Sequence, residues 1–246
     1  MLKKRLIIVL TFNDGVLFRT KKFIPDYRYT KNFVDLWKAD EIILLDISKK
    51  KLSKKFIDIV NFFSKNCFLP VSVGGGINNL KSVDLLFKNG ADKIVLNSST
   101  FKNSKLIKNA SDIYGSQAII HSVDIKKTNK NKYTVMINNG KFDTNLSPFQ
   151  WAKIAIDNGA GELLINNIDN DGSLSGFDID IIKKLSKKFK SPMLALGGGG
   201  NWEHFLELFK KTDISACCTQ NIYHFTNTSL SSLKKYLQVN KINIRM

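Results

Sequence analysis

At 246 residues with 43% apolar side chains, the chain has enough material to bury one sizeable core. Its apolar runs are strand-length, short of the roughly 18–20 residues that cross a bilayer, which excludes a protein built of spanning helices. The net charge of +17 invites nucleic acid, but the lysines are scattered over 3–5, 49–51, 54–55, 126–127, 183–184 and 187–188 without interleaved aromatics or a recognised binding motif, so a solvated basic surface is expected instead, compatible with an anionic ligand.

The first twelve residues, MLKKRLIIVLTF, have the charge and apolar order of a secretory signal, yet Asn13-Asp14-Gly15 follows with no small-residue cleavage site. They read as a first strand at 5–12 closed by a tight Asp14-Gly15 turn, and the cytoplasm is the expected location. From there helical and strand patterns alternate. A helical pattern at 31–38 leads to a strand at 41–46, and Ser53 opens a helix over 52–66. A strand at 70–74, a helix at 79–89 and a strand at 92–97 follow, and Asn103 stands before a helix at 104–112. The fifth strand, 117–124, runs into 125–146, an alternating stretch containing Asn139-Gly140 and read as a hairpin excursion. Ser147 then precedes a helix at 149–158, and the last units pair strands at 162–166, 192–196 and 214–218 with helices at 178–188, 201–210 and 229–238. Eight β units, each followed by an α unit, predict a single α/β (β/α)8 barrel (TIM barrel) over 1–246; a doubly wound sheet is the alternative.

An internal half-barrel repeat favours closure. Asp46 and Asp169, Gly74 and Gly197, and Asn97 and Gln220 are each separated by 123 positions. The counterpart of Asp124 is Thr11, so one of two matched carboxylates is absent. Active sites of such barrels lie where strands end, which directs attention to Thr11, Asp46, Gly74–Gly76, Asn97, Asp124, Asn166–Asp171, Gly197–Gly200 and Gln220–Asn221. Glycine triplets at two related strand ends let backbone N–H groups approach an oxyanion, and each has polar residues one unit later, at Asn97-Ser98 and Gln220-Asn221. The pattern predicts a ligand with a phosphate at each end, with tight βα turns as the alternative.

The chain resembles the HisF family, the cyclase subunit of imidazole glycerol phosphate synthase, along its whole length. The matching strings are VGGGI, GADKIVLN, YGSQA, GAGELL, IDNDGSLSGFD, GGGGNWEHF and the tail NKINIRM. The resemblance implies an ammonia-using barrel that works with a HisH-like glutaminase partner, requires no cofactor or metal, and receives ammonia through its core to meet a ribulosyl nucleotide. It implies that Gly76, Asn97 and Ser98 hold one phosphate and that Gly172, Gly198 and Asn221 serve the other, although Asn221 and Gln220 depart from the family's small residues. Arg19 stands for a loop lysine and Asp171 for a residue at the substrate. Arg5, Glu41, Lys93 and Glu162 match a four-charge ring that gates the ammonia channel, and Asp92 matches a position at the partner interface; closure of the barrel bottom by plain ion pairs is the structural alternative.

Thr11 is the departure. The family's ring closure uses two aspartates as acid and base, of which only Asp124 is kept, and loss of a positioned acid–base group typically costs about 10²–10⁴ in rate. This resembles a HisF-like branch associated with acetamidino modification of surface-polysaccharide sugars, in which ammonia passes to a sugar amidotransferase. That role is the leading expectation. A genuine cyclase in histidine biosynthesis and a non-catalytic scaffold that docks the glutaminase are the alternatives, and a nucleic-acid binder comes last.

The remaining polar and aromatic residues have ordinary expected roles. Cys67, Cys217 and Cys218 lack metal-ligand spacing and read as buried free thiols. His121, His204 and His224 have no Cys or His at ligand spacing. Trp37, Trp151 and Trp202 read as packing residues on helices.

Overall fold

A computed structural model describes residues 3–28, 38–48, 52–128, 132–220 and 230–246. The expected helix at 31–38, apart from Lys38, and Trp37, His224 and Asn221 lie outside the described residues.

In chain order the elements are β1 (Arg5–Asn13), β2 (Val16–Lys21), β3 (Ile24–Arg28), β4 (Glu41–Asp46), α1 (Lys54–Asn66), β5 (Val71–Gly74), α2 (Leu80–Lys88), β6 (Lys93–Leu96), α3 (Ser98–Lys102) and α4 (Lys105–Tyr114). They continue with β7 (Ile119–Lys127), β8 (Tyr133–Ile137), β9 (Phe142–Asp143), α5 (Pro148–Asp157), β10 (Glu162–Asn167), α6 (Ile179–Lys188), β11 (Met193–Leu196), α7 (Trp202–Lys211), β12 (Ala216–Thr219) and α8 (Leu230–Val239). The parallel order β1-β4-β5-β6-β7-β10-β11-β12 closes when β12 pairs back onto β1. Closure leaves no free parallel edge, and the fold is an eight-stranded (β/α)8 barrel.

Strand alternation sorts side chains into two layers. On β7, Ile119, His121, Val123 and Ile125 face the helices, while Ile120, Ser122 and Asp124 face the axis. The outer layer packs α1 through Phe56, Ile59, Val60 and Phe63, spaced three and four apart so that they form one stripe. The inner layer is a separate apolar cluster that includes Ile7, Val9, Ile43, Val95, Ile120 and Leu164.

Ser53 caps α1 by accepting from the Phe56 N–H, and Ser147 forms a full capping box with Gln150 ahead of Pro148. Asn103 behaves differently from expectation. It ends α3, a short helix not anticipated from the sequence, and Ser104 occupies the capping position of α4 without a side-chain bond. Asp14 and Gly15, at φ 50° and 82°, make the expected tight turn, but the chain then returns as β2 and β3 and forms an unanticipated antiparallel ribbon. The stretch after β7 also returns antiparallel, with Asn139-Gly140 between β8 and β9. Both ribbons stand above the carboxyl ends of the parallel strands. A buried ion pair from Lys234 to Asp40, 2.8 Å, ties α8 to the barrel foot, where Asp40 also accepts the Leu6 N–H. Among the described residues no helix is long and apolar enough to cross a membrane.

Candidate functional site

The amino-terminal mouth carries four charges that begin β1, β4, β6 and β10 and point at the axis. Arg5 contacts Glu41 at 2.5 Å and Glu162 at 3.2 Å; Lys93 contacts Glu41 at 3.2 Å and Glu162 at 2.8 Å. Each cation thus touches both anions, and the ring is closed and formally neutral. Burial acts to raise the Glu162 carboxyl, but Arg5 and Lys93 outweigh it and hold the group below the ordinary glutamate value. Burial opposes charge on Arg5 too, and Glu162 and Glu41 prevail, raising it. Asp92, beside Lys93, accepts the Val71 N–H at 2.7 Å, so part of its carboxylate braces the foot of β5.

Above the ring the axis is apolar. The inner cluster fills it, with Cys218 contributing a thiol whose pKa burial raises well above the ordinary range. Ser72 is fully buried on β5 between outward-facing Val71 and Val73, and its hydroxyl has no partner among the described residues.

The axis ends below a cavity of about 690 Å³ at the carboxyl face, lined by Thr11, Asp46, Gly76, Asn97, Ser98 and Asp124 among others. The volume suits a nucleotide-sized ligand. Asp124 forms part of its floor. Ser122 Oγ donates to Oδ1 at 2.6 Å and Asn97 Nδ2 to Oδ2 at 2.6 Å. Asn166, the register partner of Asp124 on β10, also hydrogen-bonds the carboxylate. Burial pushes the Asp124 carboxyl up to about 7, and the nearby Asp171 charge adds to the rise, while the three side-chain hydrogen bonds work against it. A carboxyl poised near neutrality can both take and give a proton. Trp151, buried in α5, donates its indole N–H to Ser122 O at 3.2 Å and so fixes the strand beneath Asp124.

Thr11 lies across the barrel, four strands from β7 in either direction. Its hydroxyl donates to Phe18 O on the ribbon and is not directed at Asp124. Asp46 is the other carboxylate lining this cavity; its Oδ1 accepts the Ser48 N–H at 2.9 Å, and burial raises its pKa.

The residues of the first predicted phosphate set lie together at one cavity. Gly76, Asn97 and Ser98 all border the cavity, but the Asn97 amide is engaged by Asp124 and Ser98 Oγ accepts the Asn138 N–H at 2.9 Å. Lys141, from the ribbon, lines the same cavity and supplies a cation to which the sequence reading gave no part. Asn166, Ser122 and Gln220 also belong to the site. Gln220 Oε1 accepts from Thr20 Oγ1 at 3.0 Å, latching the ribbon to the last strand. Strand alternation could have found Ser122, two residues before Asp124.

The second set is tighter. Asp171, Gly172 and Gly198 border a separate space of about 20 Å³, room for about one water molecule. Gly198 has φ +110°, and a Cβ there would stand 2.0 Å from Gly176 O, so only glycine fits. Asp171 accepts the Phe23 N–H at 2.9 Å. Burial raises the Asp171 carboxyl, and Arg19, which pairs with Asp26 on β3 and does not line the large cavity, offsets that rise only in part.

The other polar side chains are placed as structural groups. His121 is fully buried against Trp151 at 5.1 Å between ring centroids, bonds Thr100 Oγ1 at 2.9 Å, and is pushed down to about 3 by burial, so it stays neutral. Cys67, Cys217 and Cys218 are buried free thiols. Among the described residues no cluster of three or more His, Cys, Asp or Glu could hold a metal ion.

Comparison with known proteins finds relatives along the whole chain. The sequence pattern of the family described as "Histidine biosynthesis protein" matches residues 9–229. The chain is 39% identical over 252 residues to the imidazole glycerol phosphate synthase subunit HisF of Hydrogenobaculum sp. (strain Y04AAS1), and all of both chains is covered. The subunits of the same name from Clostridium botulinum (strain Okra / Type B1) and Bacillus cereus (strain G9842) are 36% and 34% identical, again over the whole of both chains.

Proposed function

The chain belongs to the HisF family of histidine biosynthesis proteins, and from that premise we propose that it is the ammonia-using barrel subunit of an imidazole glycerol phosphate synthase. A HisH-type glutaminase docks on the amino-terminal face at the charged ring and Asp92. Ammonia passes the ring, travels the apolar axis and reaches a phosphorylated ribulosyl nucleotide in the large cavity. Gly76, Ser98 and the α3 amino terminus, with Lys141, receive one phosphate. Gly172, Gly198 and Asn221 receive the other once the second pocket opens. Asp124 moves the proton.

The observation that carries this reading is the coaxial order of a closed four-charge ring, an apolar interior and a cavity floored by a carboxyl poised near neutrality. The relatives' names support the cyclase and give nothing for acetamidino-sugar formation, which therefore takes second place. One feature still favours that second reading, with delivery of ammonia to a separate sugar amidotransferase: Thr11 cannot titrate near neutrality, and its hydroxyl is committed to Phe18 O.

Purified protein supplied with ammonium and the ribulosyl nucleotide separates the two. The cyclase reading predicts turnover by the parent chain, and Thr11→Asp raises it by up to about 10²-fold. A parent with no turnover, made active only by Thr11→Asp, refutes it in favour of ammonia delivery.

A further inference from the structure

Asp124 is held between two amides. Asn97, just beyond β6, donates Nδ2 to one carboxylate oxygen at 2.6 Å, and Asn166, opposite Asp124 on β10, bonds it from the other neighbouring strand. With their N–H groups directed at the carboxylate, both amides have their carbonyl oxygens left over. Asn97 Oδ1 and Asn166 Oδ1 are buried, and neither has a hydrogen-bond partner among the described residues. Buried polar atoms in folded proteins are almost always satisfied, so two orphan acceptors beside one carboxylate indicate a ligand that donates.

Position and size restrict that ligand. Both asparagines line the floor of the large cavity, and Asn166 is only 7% exposed. Directly below them lie Leu164 and Val95, which belong both to the cavity lining and to the inner apolar cluster. A group arriving along the axis passes the hydroxyls of Ser72 and Ser122 and then meets these two acceptors. It has to be small and rich in N–H, and it has to leave the space above free for the larger substrate.

We propose that Asn166 Oδ1, Asn97 Oδ1 and the Asp124 carboxylate form a receiving site for ammonia or ammonium at the cavity floor. Two N–H bonds go to the amide oxygens and a third to the carboxylate, the group that takes the proton released when nitrogen becomes a nucleophile. The site deepens the proposed function and rests on it, because it presumes that nitrogen arrives along the axis.

Two measurements on the full chain test it. In the first, urea unfolding of the parent and of Asn166→Leu is followed at pH 8 in ammonium, sodium and potassium chloride of equal ionic strength. Ammonium stabilises the parent beyond both other salts, and Asn166→Leu loses that difference. Equal effects of ammonium and potassium, or an ammonium effect kept by the variant, overturn the site and leave water as its occupant. In the second, steady-state turnover is measured with ammonium as nitrogen source. Asn166→Leu raises the KM for ammonium about tenfold, the worth of one hydrogen bond to such a group, a larger factor than its effect on the KM for the ribulosyl nucleotide. An unchanged KM for ammonium also overturns the site. If the parent shows no turnover, the cyclase reading fails and the salt comparison still decides the site. Should Asn166→Leu not fold, Asn166→Val removes the acceptor oxygen with a smaller side chain.

Discussion

Replacing Asp124 by asparagine tests the electrostatics of the cavity floor without reference to any substrate. The Asp124 carboxyl titrates near 7 in the fold against 3.8 for the free side chain, chiefly because burial penalises its charge. Between those values the folded state binds a proton that the unfolded state has released, so stability falls as pH rises. The penalty is absent below about pH 4 and complete above about pH 7. Three pH units of separation correspond to about 4 kcal/mol, at 1.36 kcal/mol per unit. Asparagine removes the titration while keeping an oxygen that can accept from Ser122. Urea unfolding of parent and Asp124→Asn from pH 4 to pH 8 therefore gives a gap that widens in favour of the variant, by about 2–4 kcal/mol. Other groups titrate in both proteins and cancel in the difference. A gap that stays flat across this range refutes the argument and means that Asp124 is ionised throughout, with its hydrogen bonds outweighing its burial.

Other substitutions probe the remaining parts. Glu162→Gln leaves Arg5 and Lys93 facing Glu41 alone and destabilises the fold by about 3 kcal/mol at neutral pH, the usual cost of breaking a buried pair. Because the Glu162 carboxyl is held below its ordinary value of 4.5, that difference is present at neutral pH and shrinks as acid protonates the parent, which an unfolding series from pH 7 to pH 3 checks. Gly198→Ala places a Cβ 2.0 Å from Gly176 O at φ +110° and costs about 2 kcal/mol or more in thermal or urea unfolding.

Much of the architecture can be read along the chain, because a closed parallel barrel writes itself locally. Each strand is a short apolar run and each helix a stripe at 3.6 spacing, so the eight units and the 123-residue half-repeat are visible without coordinates. The four ring charges are legible through family resemblance, and strand alternation then turns all four toward one axis. The ribbons were harder. Val16–Lys21 and Ile24–Arg28 are short, and their pairing depends on a turn and on docking to Asp171 and Gln220, which lie about 150 and 200 residues away. Helix α3, at five residues, is too short to carry a period.

Sequence by itself determined the barrel and the missing carboxylate at Thr11, since each rests on residue identity at a fixed place in a repeating unit, while the four ring charges came through the family resemblance. Tertiary structure decided what those residues became. Asn97, which the resemblance assigned to a phosphate, is bonded to Asp124; Thr11 turns its hydroxyl to the ribbon; and Asp124 reaches a neutral-range pKa because closure of the barrel buries it, against the pull of its hydrogen bonds from Ser122, Asn97 and Asn166. The reason is physical: a titration value and a choice of hydrogen-bond partner depend on groups from several strands, and their distances are set only when the barrel closes.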